Sequence, residues 1–150
     1  MDHSIKAAEL FLADYNCAQA VMVAFCDVTG LEEKAAAKMA SAFGGGMGRM
    51  REVCGAVSGM FMVLSLLYGY DDPNDGAAKK LLYQQVQELG EKFRQENGSI
   101  LCRELLGNPP SDPTPSPRTA EYYAKRPCAR MVMTAARLMD EFIAEHPISI

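Results

Sequence analysis

Apolar positions recur along most of this chain at helical spacing, which predicts an all-α protein. Residues 53–67 form its most hydrophobic segment, and no charged residue interrupts the chain from Cys54 to Tyr70. A segment that is apolar all round is typical of a helix inside a protein core. We therefore predict a central helix here, buried on all sides, with Cys54 at its start. No segment shows the sustained alternation that would indicate a strand.

Turn and capping residues divide the rest of the chain into further helices. Asn16 is a favoured N-cap, and Gly30 is a favoured residue after a helix end. The glycine cluster at 44–48 interrupts the pattern, and residues 107–117, with five of the eight prolines, predict a loop. Further helices are predicted over residues 4–13, 17–29, 31–43, 82–97, 100–106 after a Ser99 cap, and from Pro127 onwards. The 150 residues are expected to form one domain, 1–150, folded as a bundle of about six helices.

Charge and hydropathy exclude several classes of protein. The net charge of −4 argues against nucleic-acid binding, which needs a basic patch. The first residues lack the charged and then apolar pattern of a leader peptide. The central apolar run is short for a membrane span and contains two glycines. We therefore expect no stable membrane insertion and a cytoplasmic location, where cysteines more often bind metal, act catalytically or stay inert than form disulfides.

Five cysteines carry the candidate chemistry, and four of them fall at predicted helix starts. No CxxC pair and no CxxCH haem-attachment motif is present. Unpaired backbone N–H groups at a helix start favour the thiolate, and arginines lie near several of these cysteines in sequence. The four cysteines are Cys17, Cys54, Cys102 and Cys128. Cys54 is our candidate for an attacking thiol.

Cys26 stands apart from this group. It lies nine residues after Cys17 on the same predicted helix, which puts the two on opposite faces at about 100° per residue. Buried cysteines often only fill space, so spacing alone leaves open whether the other four share a site. We predict that they converge and that Cys26 lies elsewhere.

These residues resemble a family of small redox proteins named for its cysteine pattern. The chain reads NCAQAV at 16–21 and GGGMGRMREVCGAVSG at 44–59, and both later cysteines follow in order. The resemblance therefore covers nearly the whole chain, and Cys26 lies outside the pattern. It implies a helical protein with a redox or iron–sulfur role, often encoded near transporter genes. A similar domain occurs in split-Soret cytochromes, but this chain lacks their haem-attachment motif, so no haem is implied.

Three further residues are candidates for contacts to a cofactor or an anion. Arg49 could stabilise a thiolate or a bound anion. Gly55 and Gly59 have the spacing that lets another backbone approach closely. The glycine cluster lacks the GK[ST] ending of a P-loop, so nucleotide binding is not expected. The two histidines, His3 and His146, are expected to be solvated.

Three functions remain open from the sequence. In the first, the four cysteines bind an iron–sulfur cluster for electron transfer or sensing. In the second, the protein is a thiol–disulfide or sulfur-handling enzyme without metal. In the third, it is a structural or interaction module, with zinc or inert thiols. We also expect a redox partner, a homodimer and a functional link to a transporter.

Overall fold

The computed structural model describes residues 2–148, and within them the fold is all-α, as predicted. The chain forms one domain of the following helices: α1 (His3–Leu12), α2 (Cys17–Ala24), α3 (Cys26–Thr29), α4 (Glu33–Ala40), the single turn α5 (Gly44–Met47), α6 (Gly55–Tyr68), α7 (Gly76–Asn97), α8 (Cys102–Leu106), α9 (Ala120–Lys125) and α10 (Cys128–Glu145). A 3₁₀ turn, Ser41–Phe43, joins α4 to α5.

Side-chain caps fix several helix starts, of which the cap at Asn16 was predicted from the sequence. Asn16 accepts a hydrogen bond from the Gln19 N–H, and the Gln19 side chain accepts one from the Asn16 N–H, which completes a capping box at the start of α2. At the start of α9, the Thr119 side chain accepts a hydrogen bond from the Tyr122 N–H. At the other ends, Gly30 adopts the left-handed conformation that closes a helix.

The core is built around α2, which packs against α1, α4, α6 and α10. Every residue of α2 except Gln19 is buried. The predicted central helix, α6, is buried over residues 55–60 and again at Val63 and Leu64, whereas Ser65 and Leu66 are exposed. Gly59 lies against α2, where an added Cβ would come within 2.7 Å of the Ala18 carbonyl oxygen. The absence of a side chain on Gly59 thus sets how closely α6 and α2 approach.

Several helix boundaries differ from the prediction, each for a local reason. The predicted helix 17–29 is interrupted at Phe25, whose ring stacks on His3 at a centroid distance of 4.1 Å. The helix predicted from residue 100 begins at Cys102, since Leu101 is extended and forms an isolated bridge with Val53, in the chain before α6. Ser99 therefore does not cap that helix. Instead it accepts from the Leu101 N–H and donates to the Glu104 carboxylate.

His3 is buried, which contradicts the expectation that it is solvated. It is 3% exposed, and its ring lies between two carboxylates. The Nδ1 atom is 2.6 Å from Asp140, and the Nε2 atom is 2.9 Å from Asp27. This cluster ties α1 to α3 and α10, so its role is to fix the packing of three elements.

The apolar stretches of the described residues are also short relative to a bilayer. Within residues 2–148, no helix is long and apolar enough to cross a membrane.

Candidate functional site

Four cysteines from four separate segments line one cavity. Cys17, Cys102 and Cys128 are the first residues of α2, α8 and α10, and Cys54 is the N-cap of α6. The cavity has a volume of about 50 Å³, enough for a few water molecules. We call it the thiol cavity. Cys26 does not line it; its thiol instead lies 3.8 Å from the Met22 carbonyl oxygen.

The turn before α6 brings Cys54 and Cys102 to the cavity. Residues 45–49 and Arg51 all have positive φ, so this segment coils tightly although only three of these residues are glycines. The chain then pairs with the start of α8. The Cys54 N–H donates to Ile100 at 2.7 Å, and the Cys102 N–H donates to Glu52 at 2.7 Å. These two backbone hydrogen bonds flank the Val53–Leu101 bridge and hold Cys54 and Cys102 on two neighbouring chain segments.

Glycines occupy the positions where a side chain would collide with these cysteines. A Cβ on Gly55, the residue after Cys54, would fall on the Cys17 sulfur. A Cβ on Gly46 would lie 2.6 Å from the Cys102 Cβ and 2.7 Å from the Glu52 nitrogen. The second residue of the CGAxxG motif is therefore a glycine because a thiol from another helix occupies the space.

A buried arginine stands next to Cys102. Arg51 is 3% exposed, and its Nη1 donates to the Cys102 sulfur at 3.6 Å. Its Nε donates to the Pro110 carbonyl oxygen at 3.0 Å, but its Nη2 has no hydrogen-bond partner among the described residues. A buried guanidinium is costly unless negative charge lies nearby. Arg51 therefore favours thiolate or another anion in this cavity.

The proline-rich segment, residues 107–117, crosses the same region. Arg49 fastens it by donating to the Asp112 carbonyl oxygen at 2.9 Å and to the Ser116 hydroxyl at 3.1 Å. The following Arg118 donates to the carbonyl oxygens of Phe11 and Tyr15, each at 3.1 Å. The loop that the prolines predict is thus held against the site by arginines.

Burial raises the pKa of three of the four cavity thiols, Cys17, Cys54 and Cys128, and for these it overturns the prediction of lowered pKa values. It raises the pKa of Cys17, although the Gly45 and Ala18 N–H groups act in the opposite direction. It raises the pKa of Cys54 well above its ordinary value, against the N–H groups of Ala56 and Val57 at the start of α6. Burial also raises the pKa of Cys128 to about 12. The N–H groups at the helix starts do lower the pKa of Cys17 and Cys54, but desolvation raises it by more.

The four thiols are the type of ligand that iron–sulfur clusters use, but they are not arranged to hold a single metal ion. Within residues 2–148, no group of three or more His, Cys, Asp or Glu side chains is arranged to hold one metal ion. A tetrahedral zinc site would need its sulfur atoms about 3.8 Å apart, given a Zn–S bond of about 2.3 Å. In a cluster with four irons each thiolate takes its own metal, so the sulfurs stand further apart. The four thiols and the uncompensated Arg51 charge match such a group in chemistry.

The remaining predicted residues divide between the cavity and its surroundings. Gly55 lines the thiol cavity, whereas Gly59 packs on α2 and Arg49 lines a neighbouring cavity. Arg118 and Tyr122 also line the thiol cavity and were missed, because their segment has no apolar periodicity. Thr119 was the available signal for α9, since it is a favoured N-cap.

The all-α fold, with four cysteines on one cavity, defines a helical protein with a cysteine site. A family profile, C_GCAxxG_C_C, described as "Putative redox-active protein", matches residues 15–142. The chain belongs to this family. Neither the curated proteins nor the solved structures gave a match.

Proposed function

We propose that this protein carries electrons or senses redox state through an iron–sulfur cluster bound by its four motif cysteines. The observation that supports this proposal is the convergence of four thiols, from four helix starts, on one cavity. Thiolates are the ligands that such clusters use, usually four of them. The ligands would be Cys17, Cys54, Cys102 and Cys128.

The chain's own residues suit this role in three respects. The cavity is lined mostly by apolar surface, and its thiols are buried or half-buried, so water has limited access. Arg51 supplies a positive charge beside Cys102, which offsets negative charge from thiolates. When bound, a cluster of this kind supplies one-electron transfer, with a potential that depends on burial and on hydrogen bonds to sulfur.

The test is anaerobic purification with iron and acid-labile sulfide analysis and an ultraviolet–visible spectrum. We expect iron, sulfide and visible absorbance in the natural protein and equally in Cys26→Ser, the matched control outside the cavity. We expect Cys54→Ser and Cys102→Ser to lose most of the iron. Cluster-free protein under these conditions, or equal loss in Cys26→Ser, would refute the proposal.

A second candidate is thiol–disulfide exchange, which needs two neighbouring thiols and no metal. Cys17 and Cys54 are its best pair, since the Cys17 sulfur lies against Gly55, the residue after Cys54, and since Cys17 contributes most, after burial, to raising the pKa of Cys54. Their two thiols would reduce a disulfide substrate to two thiols and form one Cys17–Cys54 disulfide. A free-thiol count before and after reduction, with mapping of the bridged pair, distinguishes this activity from cluster binding.

A further inference from the structure

A second cavity adjoins the thiol cavity and concentrates positive charge. It has a volume of about 260 Å³. The two cavities share six lining residues: Asn16, Gly45, Arg51, Arg118, Tyr122 and Arg126. Because Arg51 lines both, the second cavity lies next to the one that holds the thiols. We call it the arginine cavity, after Arg49, Arg51, Arg118 and Arg126.

The charge of this cavity is opposite to that of the whole chain. The protein has 19 acidic and 15 basic residues, yet within residues 2–148 no acidic residue lines either cavity. Four guanidinium groups therefore stand together without a carboxylate in the lining. Clefts lined by one sign of charge raise the local concentration of counter-ions and speed their entry.

Neutral groups, rather than carboxylates, hold Arg49, Arg118 and Arg126 in place. Arg49 and Arg118 donate to backbone carbonyl oxygens and to hydroxyl groups, and the Arg126 guanidinium lies 4.9 Å from the centre of the Tyr122 ring. None of the four forms an ion pair with a carboxylate among the described side chains. The charge that acts on Arg49 comes from Asp112, whose pKa is lowered mainly by the Thr114 N–H and less by Arg49.

Arg51 adds an independent indication of a ligand. It is 97% buried, as its exposure is 3%, and its Nη2 lacks a hydrogen-bond partner among residues 2–148. Orphaned buried donors of this kind are rare in folded proteins because they lose hydration without gaining a bond. An anion at the junction of the two cavities would satisfy this donor.

We propose that the arginine cavity binds a small oxyanion and holds it beside the cysteines. Guanidinium groups present planar pairs of donors that match the oxygens of carboxylate, phosphate and related anions. The volume of about 260 Å³ lies below the range of about 300–1,000 Å³ that is usual for drug-sized ligands, so a small anion suits it best. This site goes beyond the redox proposal and does not depend on which group the cysteines hold.

The test is isothermal titration of the purified full-length protein with sodium phosphate and, separately, sodium sulfite at low ionic strength. We expect saturable binding at one site that weakens as salt is added. Arg49→Gln and Arg126→Gln should each weaken binding about tenfold or more, the loss of one charge-assisted hydrogen bond. Both side chains are half-buried, so these variants are expected to fold more readily than a change at the buried Arg51.

The matched control is Arg94→Gln, which removes the same charge from an exposed position on α7 where Arg94 pairs with Glu91. It should leave binding unchanged. Absence of saturable binding by both anions, or an equal loss in Arg94→Gln, would overturn the proposal. Binding of both anions supports a general oxyanion site, and binding of sulfite alone supports a site for a redox-active sulfur oxyanion.

Iron and sulfide analysis of the same preparations separates this inference from the cluster proposal. Protein that contains a cluster but binds neither anion refutes the oxyanion site and leaves the cluster proposal standing. Protein that binds an anion but never contains iron refutes the cluster proposal and leaves the oxyanion site standing.

Discussion

The packing of α6 on α2 can be measured with two glycine substitutions that differ in one respect. Gly59 and Gly90 both lie inside long helices, α6 and α7. Alanine at either position gains about 1 kcal/mol of helix propensity. A Cβ at position 90 would meet only the end of the Phe61 ring at 3.4 Å, which is an ordinary contact. We therefore expect Gly90→Ala to stabilise the protein by up to about 1 kcal/mol.

Gly59→Ala should act in the opposite direction. Its Cβ would lie 2.7 Å from the Ala18 carbonyl oxygen and 3.1 Å from the Val21 Cβ. The first of these is backbone of the buried helix α2, so neither helix can yield cheaply. Overpacking typically costs about 1–3 kcal/mol, and the rigidity of the contact favours the upper half of this range. After the propensity gain, the net loss should be about 1–2 kcal/mol.

The assay is urea unfolding of both variants, followed by circular dichroism at 222 nm, with the protein kept reduced. Both substitutions gain the same helix propensity, so this gain cancels when the two free energies of unfolding are subtracted. The difference that remains is the overpacking cost at Gly59, about 2–3 kcal/mol. Equal stabilisation by both substitutions would refute the close approach of α6 and α2.

Four further predictions concern the site. In metal-free protein, Arg51→Met should leave the free energy of urea unfolding unchanged or raise it by about 1 kcal/mol, because it removes a buried charge; a large loss would contradict this reasoning. Alkylation of Cys128 by iodoacetamide in folded metal-free protein should be slow at pH 8 and rise toward pH 12, because the pKa is raised to about 12. The Cys128 thiol loses its proton near pH 9 in the unfolded chain and only near pH 12 in the folded protein. The free energy of unfolding should therefore fall as the pH rises from 9 to 12. The fall should be smaller in Cys128→Ser. Gly46→Ala should destabilise the fold more than Gly30→Ala; both have positive φ, but only the Gly46 Cβ would meet other atoms, and thermal unfolding measures the difference.

Local sequence determined the helices and the positions of the cysteines on them. Asn16, Gly30 and Gly98 mark helix ends by capping and left-handed conformation, and these are properties of a few neighbouring residues. Cys17 was correctly placed at a helix start for this reason, and the other three motif cysteines also lie at helix starts, although Ser99 does not cap α8. The family, too, could be identified from the motif spacing.

The sequence did not reveal how far each group is buried, because burial depends on which helices pack together. The thiols were predicted to have lowered pKa values from their helix starts, yet desolvation in the assembled cavity raises the pKa of Cys17, Cys54 and Cys128. In the same way, His3 has a polar sequence environment but is enclosed by α3 and α10.

Only the tertiary structure decided which distant residues share the site. Arg51 and Arg118 are separated by 67 positions in the chain, yet both line the two adjoining cavities. Their position follows from the left-handed turn before α6 and from the proline-rich segment that is fastened over it. Local pattern fixes what a helix start offers chemically, whereas packing fixes how much water reaches it and which charges lie beside it.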